Sequence, residues 1–173
     1  MTEIPTDLAD RLAIAEVTAR YTRGVDRRDP ELVRSCYHAD AVDHHAGYDG
    51  PIDGFIEMLE RVWADPVRAP GTQHLIGQQL IEVDGDTARV ESYCINTHWD
   101  RSGQNPANNY TAVSRMIDRF ERREGRWLIA ERWATRDATL PHNGDRPSVN
   151  RGPTGSAGPD DPLYHVTGWP PSA

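Results

Sequence analysis

The chain has 173 residues, a mass of 19.4 kDa, a formal net charge of −8 and a pI near 5.3. A chain of this length fits one domain with one sizeable core. The acidic balance argues against a nucleic-acid partner, because phosphate binding needs Lys and Arg clustered on one face. All 19 basic residues are Arg, so a basic group in a site would be a permanently protonated, fork-shaped donor and could not act as a general base.

The cysteine content and the N-terminus bear on the compartment. Only Cys36 and Cys94 are present, and the first residues lack the charged-then-apolar pattern of a signal peptide. No apolar run approaches the roughly 18 residues of a membrane span. We therefore expect a reduced, cytoplasmic protein without a membrane partner.

Apolar residues recur at helical spacing in the first part of the chain. We predict helices over residues 7–25, 30–38 and 52–64. The second begins at an Asp29-Pro30 cap, and Asp65-Pro66 ends the third. A short strand at 39–47 and a turn at 48–51 are expected between them.

The second part of the chain alternates as strands do, with short turns between the segments. We predict a meander of four long strands at 72–83, 87–99, 109–122 and 126–140. Helices followed by an antiparallel sheet indicate an α+β fold. We assign residues 1–140 to this domain and 141–173, which hold seven of the 13 prolines, to an irregular Pro/Gly-rich arm lying on its surface.

Strand alternation suggests a cavity wall, because side chains two residues apart share a face. Small residues mix with a few polar ones on one face of two predicted strands, which is typical of a ligand pocket. These sets are Val90, Ser92, Cys94, Asn96 and His98, and Leu128, Ala130, Arg132, Ala134 and Arg136. We expect Trp127, Ile129 and Trp133 to pack on the opposite face, against a helix or another subunit.

Several short motifs occur in a characteristic order: Tyr21-x4-Asp26, Tyr37-His38-x-Asp40-Ala41, Gly50, His74 and Gly125-x-Trp127. Over about residues 7–140 the chain resembles the SnoaL-like branch of the nuclear-transport-factor-2-like superfamily. The resemblance implies a cone-shaped barrel, in which three N-terminal helices pack on a curved, mostly antiparallel sheet and enclose a deep cavity. It also implies a homo-dimer or homo-trimer.

Within this family the chain is most similar to a group of lyases that includes bile-acid 7α-dehydratase, scytalone dehydratase and hexachlorocyclohexane dehydrochlorinase. The resemblance implies that Asp26 pairs with His74, which removes a substrate proton. Tyr21 matches a tyrosine of the bile-acid enzyme, and Arg136 and Arg132 match arginines of the bile-acid enzyme and the dehydrochlorinase. The chain departs from the pattern where the bile-acid enzyme has a further catalytic Asp, at Asn96, and where the dehydrochlorinase has a Lys, at Tyr21.

A paired carboxylate fixes the imidazole tautomer and stabilises the cation formed by proton transfer. We predict a cofactor-independent lyase, a dehydratase acting on a hydrophobic cyclic or aromatic small molecule, with no metal. In it Tyr21 would protonate a leaving hydroxyl or bind a carbonyl, and Arg136 or Arg132 would stabilise negative charge. Further substrate contacts are expected from Arg132, Asn96 and His98, and from His44 or His45 near the cavity mouth.

Other interpretations remain open. The same cavity could serve an isomerase or an epoxide hydrolase, and the fold also serves non-catalytic ligand binders and dioxygenase small subunits. Arg132 could instead form a structural ion pair with Asp118 or Glu131. The His and Asp residues at 38–45 lack a recognised metal-ligand spacing. Tyr21 and Asp26 would lie roughly 140° apart on a continuous helix, so they share a pocket only if the helix unwinds near Gly24 or the cavity wraps its end.

Overall fold

A six-stranded sheet covered on one face by helices forms the body of the protein. The computed structural model describes residues 6–65, 71–100 and 109–142. In chain order the elements are α1 (Leu8–Arg27), α2 (Pro30–Arg34), β1 (Tyr37–His45), β2 (Tyr48–Pro51), α3 (Ile52–Ala64), β3 (Gly71–Asp84), β4 (Thr87–Trp99), β5 (Tyr110–Arg123) and β6 (Arg126–Pro141). The strand order is β2-β1-β6-β5-β4-β3. The β1–β6 pairing is parallel and the other pairings are antiparallel, so the predicted α+β class is confirmed.

The first helix is continuous past Gly24 and ends at Arg27, and the C-cap residue Arg28 adopts a left-handed conformation. Gly24 has a packing role, because a Cβ atom there would lie 2.8 Å from Cγ2 of Val33 on α2. As predicted, Asp29 caps α2 by accepting the backbone N–H of Leu32 at 2.9 Å. The helix does not unwind near Gly24, so Tyr21 lies in a regular helical turn.

Two short elements differ from the prediction. Helix α2 ends at Arg34, four residues before the predicted end at residue 38, because Tyr37 already pairs with Ile129 of β6. Residues 48–51, predicted as a turn, form β2 and pair with β1. The first difference arises from pairing with the distant strand β6, and the second from a local hairpin with β1, in which His45 pairs with Tyr48.

A bulge in β6 overturns part of the predicted face assignment. Glu131 pairs with Arg119 but Ile129 pairs with Phe120, so Ala130 is an extra residue on β6. An extra residue reverses the inside-outside alternation beyond it. Trp127 and Ile129 are therefore buried in the core, and only Trp133 of the three residues predicted to share the opposite face lies on the outer side, where it is 51% exposed.

The apolar core lies between the helices and the inner face of the sheet. Its fully buried members include Ile14, Val33, Phe55, Phe120 and Ile129. No helix among the described residues is long and apolar enough to cross a membrane. The predicted C-terminal arm lies outside the described residues except for Pro141, which ends β6, and His142, whose backbone N–H donates to the carbonyl of Asn109.

Candidate active site

A cavity of about 360 Å³ lies between α1, α3 and the inner face of the sheet. This volume is within the usual range for small-molecule sites. Its wall is mostly apolar with a few polar groups. The lining residues are Tyr21, Val25, His45, Ala46, Phe55, Met58, Leu59, Val62, Trp63, Thr72, His74, Asn96, His98, Tyr110, Ala112, Ser114, Met116, Ala134, Thr135 and Arg136.

His74 and Asp26 are in direct contact at one side of this cavity. The Nδ1 atom of His74 lies 2.6 Å from Oδ1 of Asp26, and the backbone N–H of His74 donates to Oδ2 at 3.0 Å. An ionised carboxylate only accepts hydrogen bonds, so Nδ1 carries the proton. In the neutral ring, Nε2 is then left with a free lone pair. The two contacts hold both the orientation and the tautomer of the imidazole.

The end of α1 and the start of β3 bring these groups together. Asp26 is in the last turn of α1. It contacts His74, which lines the cavity, but is not itself among the lining residues. Tyr21 lines the same cavity from a different side of the helix. Tyr21 and Asp26 therefore need not share one side of the helix, because Asp26 is connected to the cavity through His74. Across the sheet His74 pairs with Asn96, which also lines the cavity.

Tyr21 is 2% exposed, and the guanidinium of Arg132 lies 4.0 Å from the centre of its ring. Burial raises the pKa of Tyr21 well above its usual value, and the Arg132 cation offsets only part of that effect. The phenol therefore remains protonated at neutral pH. It can donate a hydrogen bond to a group in the cavity.

Arg132 does not line the cavity, contrary to the predicted substrate contact. It is fully buried, and its Nε and Nη2 atoms each donate to Asp118 at 2.7 Å. Asp118 is equally buried and holds the pKa of Arg132 well above its usual value, although burial alone would lower it. A buried guanidinium needs such a partner, and this pairing is the structural alternative considered from the sequence. Arg132 touches a cavity-lining residue through its contact with the ring of Tyr21.

His44 also lies away from the cavity, so the predicted substrate contact is wrong. Its ring stacks on Trp133 at 3.8 Å and its Nδ1 is 2.9 Å from a carboxylate oxygen of Asp49. Adjacent residues on a strand point to opposite faces. His45, the next residue, is the one that faces the cavity.

His45 and Asp43 are two residues apart on β1 and share a face, and they form a second carboxylate–imidazole contact through Nδ1 of His45. Asp43 is fully buried and accepts the hydroxyl of Tyr37 at 2.8 Å. The sequence indicated His44 or His45 for a contact near the cavity mouth but did not pair His45 with Asp43. Their i, i+2 spacing on a predicted strand was the signal that could have paired them.

The remaining histidines and acids of the 38–45 segment are dispersed. His38 contacts the carbonyl of Glu121 at 2.9 Å, and Asp40 pairs with Arg123 at 2.6 Å. Among the described residues, no three His, Cys, Asp or Glu side chains come together as a metal-binding group would require.

Three further predicted residues do line the cavity: Asn96, His98 and Arg136. Asn96 donates to the hydroxyl of Ser114 at 3.3 Å. His98 stacks on Tyr110 at 4.3 Å, and its buried Nδ1 has no hydrogen-bond partner within the described part of the chain. Burial lowers the pKa of His98 to about 4, with the protonated form of His74 and Arg136 adding to the effect and Asp26 opposing it, so this ring is neutral near pH 7.

Arg136 is an exposed residue at the edge of the cavity, with its guanidinium 5.6 Å from the ring centre of Tyr110. Cys94, by contrast, is buried against Asn96, and burial raises its pKa to about 11. Cys94 is thus an uncharged part of the wall. Arg136 is a cation that a ligand can approach from solvent.

A model of the SnoaL-like domain matches residues 6–133. The chain belongs to the SnoaL-like domain family. An uncharacterized protein of Mycobacterium tuberculosis is 31% identical over 94 residues, which are 52% of this chain and 61% of that protein. The match thus spans less than two thirds of the relative's length.

Solved structures of other SnoaL-like folds superpose on most of this chain. A type 2 hexachlorocyclohexane dehydrochlorinase gives a TM-score of 0.71 at 20% identity, covering 83% of this chain and 96% of that chain. The type 3 hexachlorocyclohexane dehydrochlorinase of Novosphingobium barchaimii gives 0.67 at 19% identity, covering 83% and 97%. At these identities the likeness establishes a shared fold, including the helix-covered sheet.

Proposed function

We propose that this SnoaL-like protein is a cofactor-independent lyase that eliminates water from a hydrophobic cyclic or aromatic small molecule. The contact between His74 and Asp26 at the wall of a mostly apolar cavity carries the proposal. A general base needs an unprotonated nitrogen facing the substrate and a partner for the charge it acquires. Nε2 of His74 and the Asp26 carboxylate meet these two requirements.

The reaction begins when Nε2 of His74 takes a proton from a carbon next to a carbonyl. The electrons of that C–H bond form the new double bond and the C–O bond breaks. The departing oxygen takes the hydroxyl proton of Tyr21, which lines the cavity, and leaves as water. Asp26 stabilises the imidazolium that results. Negative charge developing on the carbonyl oxygen is met by fixed donors, for which Arg136 and Asn96 are placed at the wall.

Three features of the cavity support a hydrophobic substrate of one or two rings. The volume of about 360 Å³ accommodates a bicyclic molecule. Aromatic and aliphatic side chains of α3, among them Phe55, Met58 and Trp63, form one side of it. The buried Nδ1 of the neutral His98, which has no partner among the residues that the structure describes, offers one polar contact in this wall. Dehydrochlorinases with the same fold act on hexachlorocyclohexane, a cyclic apolar compound.

The protein is also proposed to form a homo-dimer or homo-trimer through the outer face of the sheet. Directly paired residues of adjacent strands place one apolar group on this face. Its members are Leu75, Leu80, Tyr93, Ile95, Val113, Ile117 and Trp133, each at least 36% exposed. The ion pair of Arg115 with Glu91 lies between these apolar residues, so the surface is a mixed patch. Exposed apolar side chains grouped in this way are typical of an interaction site.

The function is tested with 3-hydroxy-1-tetralone, a bicyclic β-hydroxy ketone whose dehydration gives fluorescent 1-naphthol. The wild-type protein should accelerate formation of 1-naphthol, and His74→Ala should remove the acceleration without loss of fold. His44→Gln is the matched control, because His44 lies outside the cavity. Turnover retained by His74→Ala would refute the proposed base. Return of the proton to another carbon of the substrate, without loss of water, would identify an isomerase instead.

A further inference from the structure

The cavity is lined by a second imidazole that is held by its own carboxylate. Nδ1 of His45 contacts Oδ1 of Asp43, and the other oxygen of Asp43 accepts the hydroxyl of Tyr37 at 2.8 Å. Asp43 is fully buried, whereas the side chain of His45 is 22% exposed. The His45 ring also stacks on Phe55 with 4.5 Å between the ring centres. These contacts fix the ring in one orientation.

That orientation directs the other nitrogen of His45 at Tyr21. Nε2 of His45 lies 3.4 Å from the Tyr21 hydroxyl, and Tyr21 lines the cavity. The contacts therefore form a series that runs from Asp43 through His45 and Tyr21 to the cavity. Because the Asp43 carboxylate can only accept, Nδ1 keeps its proton, and Nε2 is the atom that exchanges one with Tyr21.

The proposed elimination requires an acid as well as a base, since hydroxide is a poor leaving group unless it is protonated as it departs. Tyr21 is placed to donate, but its burial makes the phenolate unfavourable and its pKa high. It can lose its proton readily only if another proton replaces it in the same step. His45 is in contact with the hydroxyl from which that proton would be lost.

We propose that His45, positioned by Asp43, is the proton source of the reaction and delivers through Tyr21 to the leaving group; this inference rests on the proposed dehydration. In the step, His74 removes the carbon proton and the C–O bond breaks. The departing oxygen takes the Tyr21 proton, and the Tyr21 oxygen takes the proton from Nε2 of His45. The products are the unsaturated compound, water, a cationic His74 and a neutral His45. Exchange with solvent then returns one proton from His74 and supplies one to His45.

A purely structural role for the second pair makes a different prediction. If Asp43 and His45 only brace β1, their substitution should disturb turnover of every substrate alike. If they supply a proton, the effect should depend on the leaving group, because chloride departs without protonation. The comparison of 3-hydroxy-1-tetralone with 3-chloro-1-tetralone separates these roles, since both give 1-naphthol after the same proton abstraction.

The experiment measures 1-naphthol formation from both compounds, corrected for the rate in buffer. His45→Gln should slow the hydroxy compound by about 10²–10⁴-fold and the chloro compound by less than about threefold. Tyr21→Phe and Asp43→Asn should show the same selectivity, which keeps the test informative if one variant folds poorly. The control His44→Gln should change neither rate.

The outcomes distinguish this inference from the function on which it rests. Equal losses on both compounds in His45→Gln, or no loss on the hydroxy compound, would overturn the assignment of His45 while leaving the lyase intact. Unchanged turnover of both compounds in His74→Ala would instead refute the lyase. Selective loss in His45→Gln, together with complete loss in His74→Ala, is the result expected from both.

Discussion

The carboxylate of Asp26 contacts His74 twice, through the ring Nδ1 at 2.6 Å and through the backbone N–H at 3.0 Å. The second contact ties the carboxylate to the main chain of β3, so it remains in place when the ring changes charge. The two residues are separated by 48 positions in sequence. A helix end is thereby fixed to a strand at the wall of the cavity.

This geometry predicts the effect of Asp26→Asn. An amide can still accept the backbone N–H, but its NH₂ group would donate to Nδ1 and place the ring proton on Nε2. The base would then be protonated at the atom that faces the substrate. We expect kcat for 3-hydroxy-1-tetralone to fall by about 10²–10⁴-fold with a small change in KM. An unaltered kcat would show that the tautomer of His74 is irrelevant to the reaction.

The buried ion pair between Arg132 and Asp118 should be important for stability. Both side chains are inaccessible to solvent, so Asp118→Asn leaves a buried cation without its counter-charge. We expect a loss of about 3–5 kcal/mol in the free energy of unfolding, measured by urea denaturation. Arg123→Ala, which breaks exposed pairs with Asp40 and Glu121, should cost far less, because solvent screens these charges. Similar losses in the two variants would contradict the difference in burial.

His98 should make stability depend on acid pH. Its pKa falls from 6.5 to about 4 in the fold, mainly through burial, with His74 and Arg136 lowering it further and Asp26 opposing them. Between these values the unfolded chain binds a proton that the folded ring resists, so stability is lost as the pH decreases from about 6.5 towards 4. Because the side chain is partly exposed, we reduce the full effect of this shift. We expect the free energy of unfolding to decrease by about 2 kcal/mol over this pH range.

The variant His98→Phe keeps a ring stacked on Tyr110 but has no proton to bind. Its unfolding free energy should therefore vary less than that of the wild type between pH 6.5 and pH 4. Urea denaturation at several pH values measures both slopes. Identical slopes would mean that His98 titrates normally in the folded protein.

The outer face of the sheet leads to a prediction about assembly. Ile117 is 40% exposed and pairs with Trp133 and Glu91 on the neighbouring strands. Ile117→Arg places a charge at the centre of this apolar surface and should dissociate the oligomer into monomers in analytical ultracentrifugation. The exposed Arg126→Ala, at the far end of β6, serves as control. A wild-type protein that sediments as a monomer at all concentrations would remove the proposed interface.

Most of the element boundaries could be predicted because the periodicity is long and regular. Strands β3 to β6 begin and end within two residues of the predicted limits. Strand β2 and the early end of α2 were missed, since both depend on pairing with β1 and β6. The bulge at Ala130 also depends on strand pairing, and because of it Trp127 and Ile129 face the core whereas Trp133 lies on the outer face as predicted.

The site was less accessible to sequence reasoning. The pairing of Asp26 with His74 rested on a family resemblance, because no local pattern links residues 48 positions apart. The sequence allowed Arg132 to be either a cavity residue or a buried member of an ion pair. The choice depends on which partner the fold brings to it. Neighbouring residues on a strand face opposite sides of the sheet. Only the register of β1 with its neighbouring strands determines that His45, and not His44, faces the cavity.

The proposed base can be tested apart from any leaving group. 1-Tetralone has an acidic carbon next to its carbonyl but nothing to eliminate, so exchange of its C2 protons in D₂O, followed by NMR, reports proton abstraction alone. We predict that the wild type and His45→Gln both accelerate this exchange and that His74→Ala does not. Equal exchange with the wild type and with His74→Ala would contradict the central claim that His74 is the base.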